Sequence, residues 1–73
     1  MALSYQKTIQ AIQQRIEYDA NKNPLYIGQA VRGVATSSAG WVVRKMTYDV
    51  NHSLIGYQTA MGDWDSRTTL TYS

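Results

Sequence analysis

The stretch WVVRKMTYDVNHSLIGYQTA, residues 41–60, decides the fold of this chain. Both of its ends are rich in Val, Ile, Thr, Tyr and Trp, which favour β-strands, and Asn51-His52-Ser53 between them has the composition of a tight turn. We therefore predict an antiparallel hairpin, in which side chains alternate between two faces. One face of the first strand carries Trp41, Val43, Lys45 and Thr47, and the other carries Val42, Arg44, Met46 and Tyr48.

A second hairpin is predicted upstream, because residues 18–30, YDANKNPLYIGQA, repeat the pattern of residues 48–60, YDVNHSLIGYQTA, at an offset of 30 residues. Both segments have Tyr-Asp-x-Asn at the turn and end on Ala. Asp and Asn are favoured in such turns, so the match can arise by convergence as well as by internal duplication. Pro24 has no amide hydrogen for a ladder, and it belongs at the start of a strand or on an edge.

The rest of the chain completes an all-β domain. Residues 32–40 form a loop of small residues, residues 61–67 a turn-rich corner and residues 68–72 a last strand. Trp64 is expected to pack over a sheet end, with Asp65 and Arg67 as an ion pair. We predict a small antiparallel β-sandwich or partly open barrel of about five strands over residues 16–73. Its predicted core is Trp41, Val43, Ile27, Tyr48, Ile55, Leu54 and Leu70, while Tyr26 and Tyr57 fit either core or surface.

Residues 1–15 are polar and Gln-rich, and they are predicted to form an N-terminal helix or arm. Ile9, Ile12 and Ile16 follow the spacing of one helix face, and the competing interpretation is an extended arm that becomes a strand near residues 14–18. A helix of about 12 residues is not stable alone in water, so this segment is expected to dock on a partner. The arm residues expected to make that contact are Leu3, Tyr5, Ile9, Ile12 and Ile16.

Composition excludes many kinds of site. The chain of 73 residues has no Cys and a single His, His52, so thiol chemistry, Cys-ligated metals and multi-His metal sites are ruled out. No glycine-rich phosphate loop is present. Asp63 and Asp65 flank Trp64, but they are better explained as turn residues than as catalytic carboxylates. We therefore expect a non-enzymatic protein without cofactor or metal. Because no run of 18 apolar residues is present and the N-terminus lacks an apolar h-region, we expect neither a membrane span nor a secretory signal.

Two kinds of binding function stay open. Surface Tyr and Trp with nearby cations are typical of single-stranded nucleic-acid binders, and Trp41, Arg44, Lys45 and Tyr48 form the candidate face. The net charge of +2 gives that hypothesis little support. The favoured function is assembly, in which the arm and exposed strand edges pack on other subunits, most often with closed symmetry.

Four strings carry a family resemblance. They are YDANKNPLYIG (18–28), GVATS (33–37), WVVRKMTYD (41–49) and WDSRTTLTY (64–72). Together they resemble a pattern shared by short virion-associated proteins of tailed bacteriophages, over roughly residues 16–73. The resemblance implies a structural component of a virion, in the neck, tail, fibre or capsid decoration, assembled in the host cytoplasm with other virion subunits or as a homo-oligomer. The chain departs from that pattern at Ala60-Met61-Gly62-Asp63, where the corner before Trp64 is shorter.

Overall fold

The computed structural model describes residues 11–73 and contains one antiparallel sheet of four strands in sequence order. The strands are β1 (Ile12–Tyr18), β2 (Pro24–Val31), β3 (Trp41–Tyr48) and β4 (Leu54–Gly62), followed by a 3₁₀ turn at Trp64–Ser66. The all-β antiparallel prediction is confirmed. The sheet is open, and residues 11–73 contain no second sheet that would complete a sandwich.

The two predicted hairpins form with the same turn. In the first, the Asp19 carboxylate accepts hydrogen bonds from the backbone N–H groups of Asn21 and Asn23 at 2.8 and 2.9 Å. In the second, Asp49 accepts from the amides of residues 51 and 53 at 2.8 and 3.0 Å. Each turn has one residue in the left-handed region, Lys22 at φ 65° and its counterpart 30 positions later, His52, at φ 64°.

The sheet has one covered face, and the core lies there. Trp41 and Val43 are fully buried, and Tyr26, Ala30, Ala60 and Trp64 are nearly so. The Trp41 indole Nε1 donates to the Ala35 carbonyl at 3.0 Å, which holds the β2–β3 loop over this face. Trp64 packs against Trp41 with ring centroids 6.0 Å apart. The prediction that Trp64 packs over the sheet is therefore confirmed.

Residues 63–73 lie across the covered face as a cap. Leu70 and Tyr72 pack against the core, and the Tyr72 hydroxyl donates to the Arg67 carbonyl at 2.6 Å. Burial raises the pKa of Tyr72 above its ordinary value; Tyr26 raises it further and Arg67 lowers it. At the end of the cap, Ser73 exchanges two backbone hydrogen bonds with Thr59, both at 3.1 Å. The C-terminal end of the cap is therefore tied to β4.

Several predictions about this cap and the core are wrong. Residues 68–72 form no fifth strand, because the 3₁₀ turn reverses the chain and leads it across the sheet. The Asp65–Arg67 ion pair does not form, since Arg67 Nε donates to Glu17 Oε1 of β1 at 2.7 Å. Leu54 and Ile55 are exposed rather than core residues, because a register shift at the Thr47/Tyr48 step interrupts the alternation beside them. Tyr48 and Ile27 are only half-buried, because they lie on the uncovered side of the sheet.

The helix predicted for the N-terminal segment is wrong where the structure describes it. Ile12 and Ile16 both lie in β1, so the strand of the competing interpretation forms, and it begins earlier than residue 14. Edge pairing with β2 over the whole of β1 provides backbone hydrogen bonds that an isolated short helix could not retain. The boundary expected between residues 15 and 16 therefore falls inside β1. Leu3, Tyr5 and Ile9 lie outside the described residues.

Candidate interaction surface

The uncovered side of the sheet, the open face, is the candidate functional surface. Strand alternation and cross-strand pairing, such as Ile16 with Ile27, Ile27 with Arg44 and Met46 with Tyr57, place its members side by side. None of its side chains is buried, and Ile12, Tyr57 and Met61 are 68%, 60% and 77% exposed. The open face comprises Ile12, Gln14, Ile16, Ile27, Gln29, Val31, Val42, Arg44, Met46, Tyr48, Tyr57, Thr59 and Met61.

The composition of the open face is unusual for a sheet surface in contact with water. An antiparallel sheet with one solvated face normally carries polar residues there. Here nine of the thirteen positions are Ile, Val, Met or Tyr, Arg44 is the one charged residue among them, and none is acidic. Aromatic residues, Met and Arg are enriched in protein–protein interfaces, and Asp, Glu and Lys are depleted. The residue types of the open face thus match a protein-binding surface.

The polar groups on the open face are held by local contacts. Gln29 Nε2 donates to Gln14 Oε1 at 3.0 Å across β1 and β2. The Arg44 guanidinium carbon lies 6.0 Å from the centre of the Tyr57 ring, at the edge of cation–π distance. Arg44 is half-buried, so its stem lies along neighbouring apolar side chains. An approaching surface would therefore meet an apolar plane with one cation near its middle.

A shallow groove lies at one end of the open face. The β2–β3 pairing ends at Gln29 with Val42, although β2 continues to Val31, so the two strands separate there. The groove has a volume of about 290 Å³, and its lining includes Ile12, Val31, Val42 and Arg44. It adds relief to a face that is otherwise a pleated plane, and a protruding apolar side chain of a partner would fit it.

The residues predicted as a nucleic-acid face do not form one surface. Trp41 is fully buried beneath the cap and offers no ring face on which a base could stack. Lys45 is on the covered side, with Nζ 5.8 Å from the Tyr72 ring centre. Arg44 and Tyr48 are on the open face, where the Tyr48 hydroxyl donates to the Pro24 carbonyl. The four residues alternate along one strand, so the sheet divides them into two pairs on opposite sides.

The predicted arm residues that the structure describes contribute to the open face. Ile12 is the exposed corner of this face at the start of β1, and Ile16 is half-buried beside Ile27. Their contact with other subunits is predicted in the sequence from the spacing of one helix face. The strand also places both residues on one face, so they still share a surface. Sequence reasoning missed Tyr57 and Met61, although the alternation of the return strand with β3 could have identified them.

The titratable side chains form no catalytic cluster among the described residues. The Asp63 carboxylate accepts from the Ser66 hydroxyl at 2.9 Å, so it is a turn residue of the corner. His52 is exposed in its turn, with Nδ1 3.3 Å from Asn21 Nδ2. Within residues 11–73, no group of three His, Asp or Glu side chains is placed to hold a metal ion. The described part of the chain also has no helix long and apolar enough to cross a membrane.

Comparison with known proteins finds no matching family model, no matching curated protein and no matching solved structure.

Proposed function

We propose that this chain is a non-enzymatic structural component of a tailed-phage virion that works by binding other virion subunits through its open face. The observation that supports binding is the apolar open face itself, with its single cation and no acidic residue. The resemblance of residues 16–73 to short virion-associated proteins supports the phage context. Location in the neck, tail, fibre or capsid decoration is part of the proposal, as are assembly in the host cytoplasm and homo-oligomer formation.

The mechanism follows from the side of the sheet that the cap leaves uncovered. The cap over Trp41 and Val43 gives the chain a small core on one side. The exposed apolar groups of the other side lose contact with water when a partner surface covers them, and that is the main driving force of association. Arg44 fixes orientation, because a cation in an apolar interface favours a partner group that accepts its hydrogen bonds.

Single-stranded nucleic-acid binding is the less favoured function. It needs several cations along a groove and exposed aromatic rings beside them. The open face offers Tyr57 and Arg44, while Trp41 and Lys45 lie on the covered side. A labelled oligonucleotide at low salt tests this function directly, because phosphate contacts bind most strongly there.

The virion proposal is tested with particles of the phage that encodes the chain. An antibody against the purified protein is used to probe density-gradient-purified particles, and deletion of the gene is complemented with variant chains. We expect the wild-type chain and Gln58→Lys in particles and Tyr57→Lys absent from them. Both variants introduce a lysine at an exposed position of β4, one residue apart and on opposite faces. Absence of the wild-type chain from particles, or equal incorporation of both variants, would contradict the proposal.

A further inference from the structure

We infer that the open face is a self-association surface: a second copy of this chain packs on it, sheet against sheet, and the dimer is an eight-stranded β-sandwich. This inference rests on the proposed function, since it names one partner for the same surface. A two-layer packing is the usual way in which a sheet covers an apolar face. The described residues supply one layer of four strands, and a second copy supplies an identical one.

The size of the open face fits a dimer interface. Four strands about 4.8 Å apart and about eight residues long at ~3.4 Å per residue give a footprint of roughly 500 Å². Two such footprints total roughly 1,000 Å² before the relief of side chains is counted, which is about the lower limit for a specific interface. Sheets stack about 10 Å apart, which suits the medium-sized Ile, Val and Met side chains of this face.

A second copy also covers the face better than the chain's own N-terminus could. Residues 1–10 precede β1, an edge strand of the sheet. Neighbouring strands lie about 4.8 Å apart, so one extended segment has the width of one strand, roughly a quarter of a four-stranded face. Ten residues would therefore leave a large part of the open face in water. An identical sheet matches it in both width and length.

Arg44 selects the way in which two copies face each other. With the two-fold axis across the strands, the two Arg44 side chains would oppose each other, which is unfavourable for buried like charges. With the axis along the strands between β2 and β3, Arg44 of one copy lies opposite Ile27 of the other, because these two residues are cross-strand neighbours. The second arrangement separates the two guanidinium groups and leaves each beside its own Tyr57, 6.0 Å from the ring centre. The geometry thus points to strands that run along the dimer axis.

The experiment measures the mass of the full chain in solution over a wide concentration range, by light scattering after size exclusion and by sedimentation equilibrium. We expect twice the chain mass of 8.2 kDa for wild type. Tyr57→Lys should raise the dimer Kd by about thirtyfold or more, because each copy loses an interface aromatic and gains a charge that the partner sheet would cover. Gln58→Lys, its neighbour on the covered side, should leave the Kd unchanged. Circular dichroism establishes that both variants keep the sheet.

Three outcomes would overturn the dimer. They are a wild-type monomer at every concentration, equal Kd values for the two lysine variants, and dimerisation that appears only in a variant from which residues 1–10 have been deleted. The test is separate from that of the virion proposal. A monomer found in phage particles contradicts the dimer and the homo-oligomer formation proposed with it, and leaves the structural role in the virion standing. A dimer that depends on Tyr57 but is absent from particles supports this inference and contradicts the proposed function.

Discussion

Replacement of Gly28 by alanine tests how the cap is fitted to the sheet. Gly28 lies on the covered face of β2, and a Cβ built on it would overlap the Trp64 ring, with Cζ3 at 2.7 Å, and would also press on the Trp41 ring at 3.2 Å. The atoms that crowd this point belong to two buried indoles, so relief requires movement of the cap. Trp64 is only 7% exposed, so any such movement uncovers apolar area.

The magnitude follows from two opposing effects. Alanine in a strand is ordinarily more stable than glycine by about 0.5–1 kcal/mol, because glycine loses more conformational freedom on folding. Overpacking of a core costs about 1–3 kcal/mol. We therefore expect Gly28→Ala to lower the free energy of unfolding by about 1–2 kcal/mol. For a small domain with a urea m-value near 1 kcal/mol/M, the unfolding midpoint falls by about 1–2 M.

Gly56 provides the matched control. It is a half-buried glycine in β4 on the same covered side, and a Cβ added there meets nothing within 4 Å. Gly56→Ala should raise the midpoint slightly. The two variants are compared by urea unfolding at one protein concentration, with tryptophan fluorescence as the signal. A red-shifted emission of native Gly28→Ala would report a displaced Trp64. A midpoint of Gly28→Ala equal to or above that of Gly56→Ala would refute the tight contact between sheet and cap.

Three further predictions concern the turns and the cap. Asp49→Ala removes the acceptor of two backbone amides and should lower the free energy of unfolding in urea by about 1 kcal/mol. An unchanged free energy of unfolding would mean that water replaces the carboxylate. His52→Gly should raise the free energy of unfolding by up to about 1 kcal/mol, because φ 64° is strained for a residue with a side chain. A lower free energy of unfolding would contradict that strain. Burial raises the pKa of Tyr72, so its contribution to stability is complete below the ordinary tyrosine pKa and is lost as pH rises through the higher folded value. Tyr72→Phe should therefore lose less stability than wild type between neutral and strongly alkaline pH, measured by urea unfolding at each pH, and equal losses would exclude this linkage.

The sequence predicted the parts of the fold that depend on local pattern. Turn composition and strand-forming residues located both hairpins, and the burial of Trp41 and Val43 followed from their shared face. The N-terminal strand was ambiguous for a specific reason. Ile12 and Ile16 are four residues apart, a spacing that fits one helix face and one strand face equally well. Edge pairing with β2, a contact between distant segments, decided between them.

The parts that sequence reasoning missed depend on contacts between distant residues. Arg67 pairs with Glu17, 50 positions earlier, in preference to the nearby Asp65. The register shift at Tyr48 exposes Leu54 and Ile55, and local pattern gives no sign of it. The nucleic-acid set combined cations and aromatic rings by proximity along the chain, although neighbours in a strand point to opposite faces. Alternation alone was enough to divide that set into two pairs.

The alternation along β3 also carries the argument for assembly. Val43 on the covered side and Val42 and Met46 on the open side are all apolar, so this strand has apolar side chains on both faces. Strands with two apolar faces are typical of sheets that are covered on both sides. The cap made by residues 63–73 covers one side of this sheet and leaves the other exposed. The inferred second layer would cover the apolar side chains that β3 presents on the open face, and a second copy of the chain would supply a layer of matching dimensions.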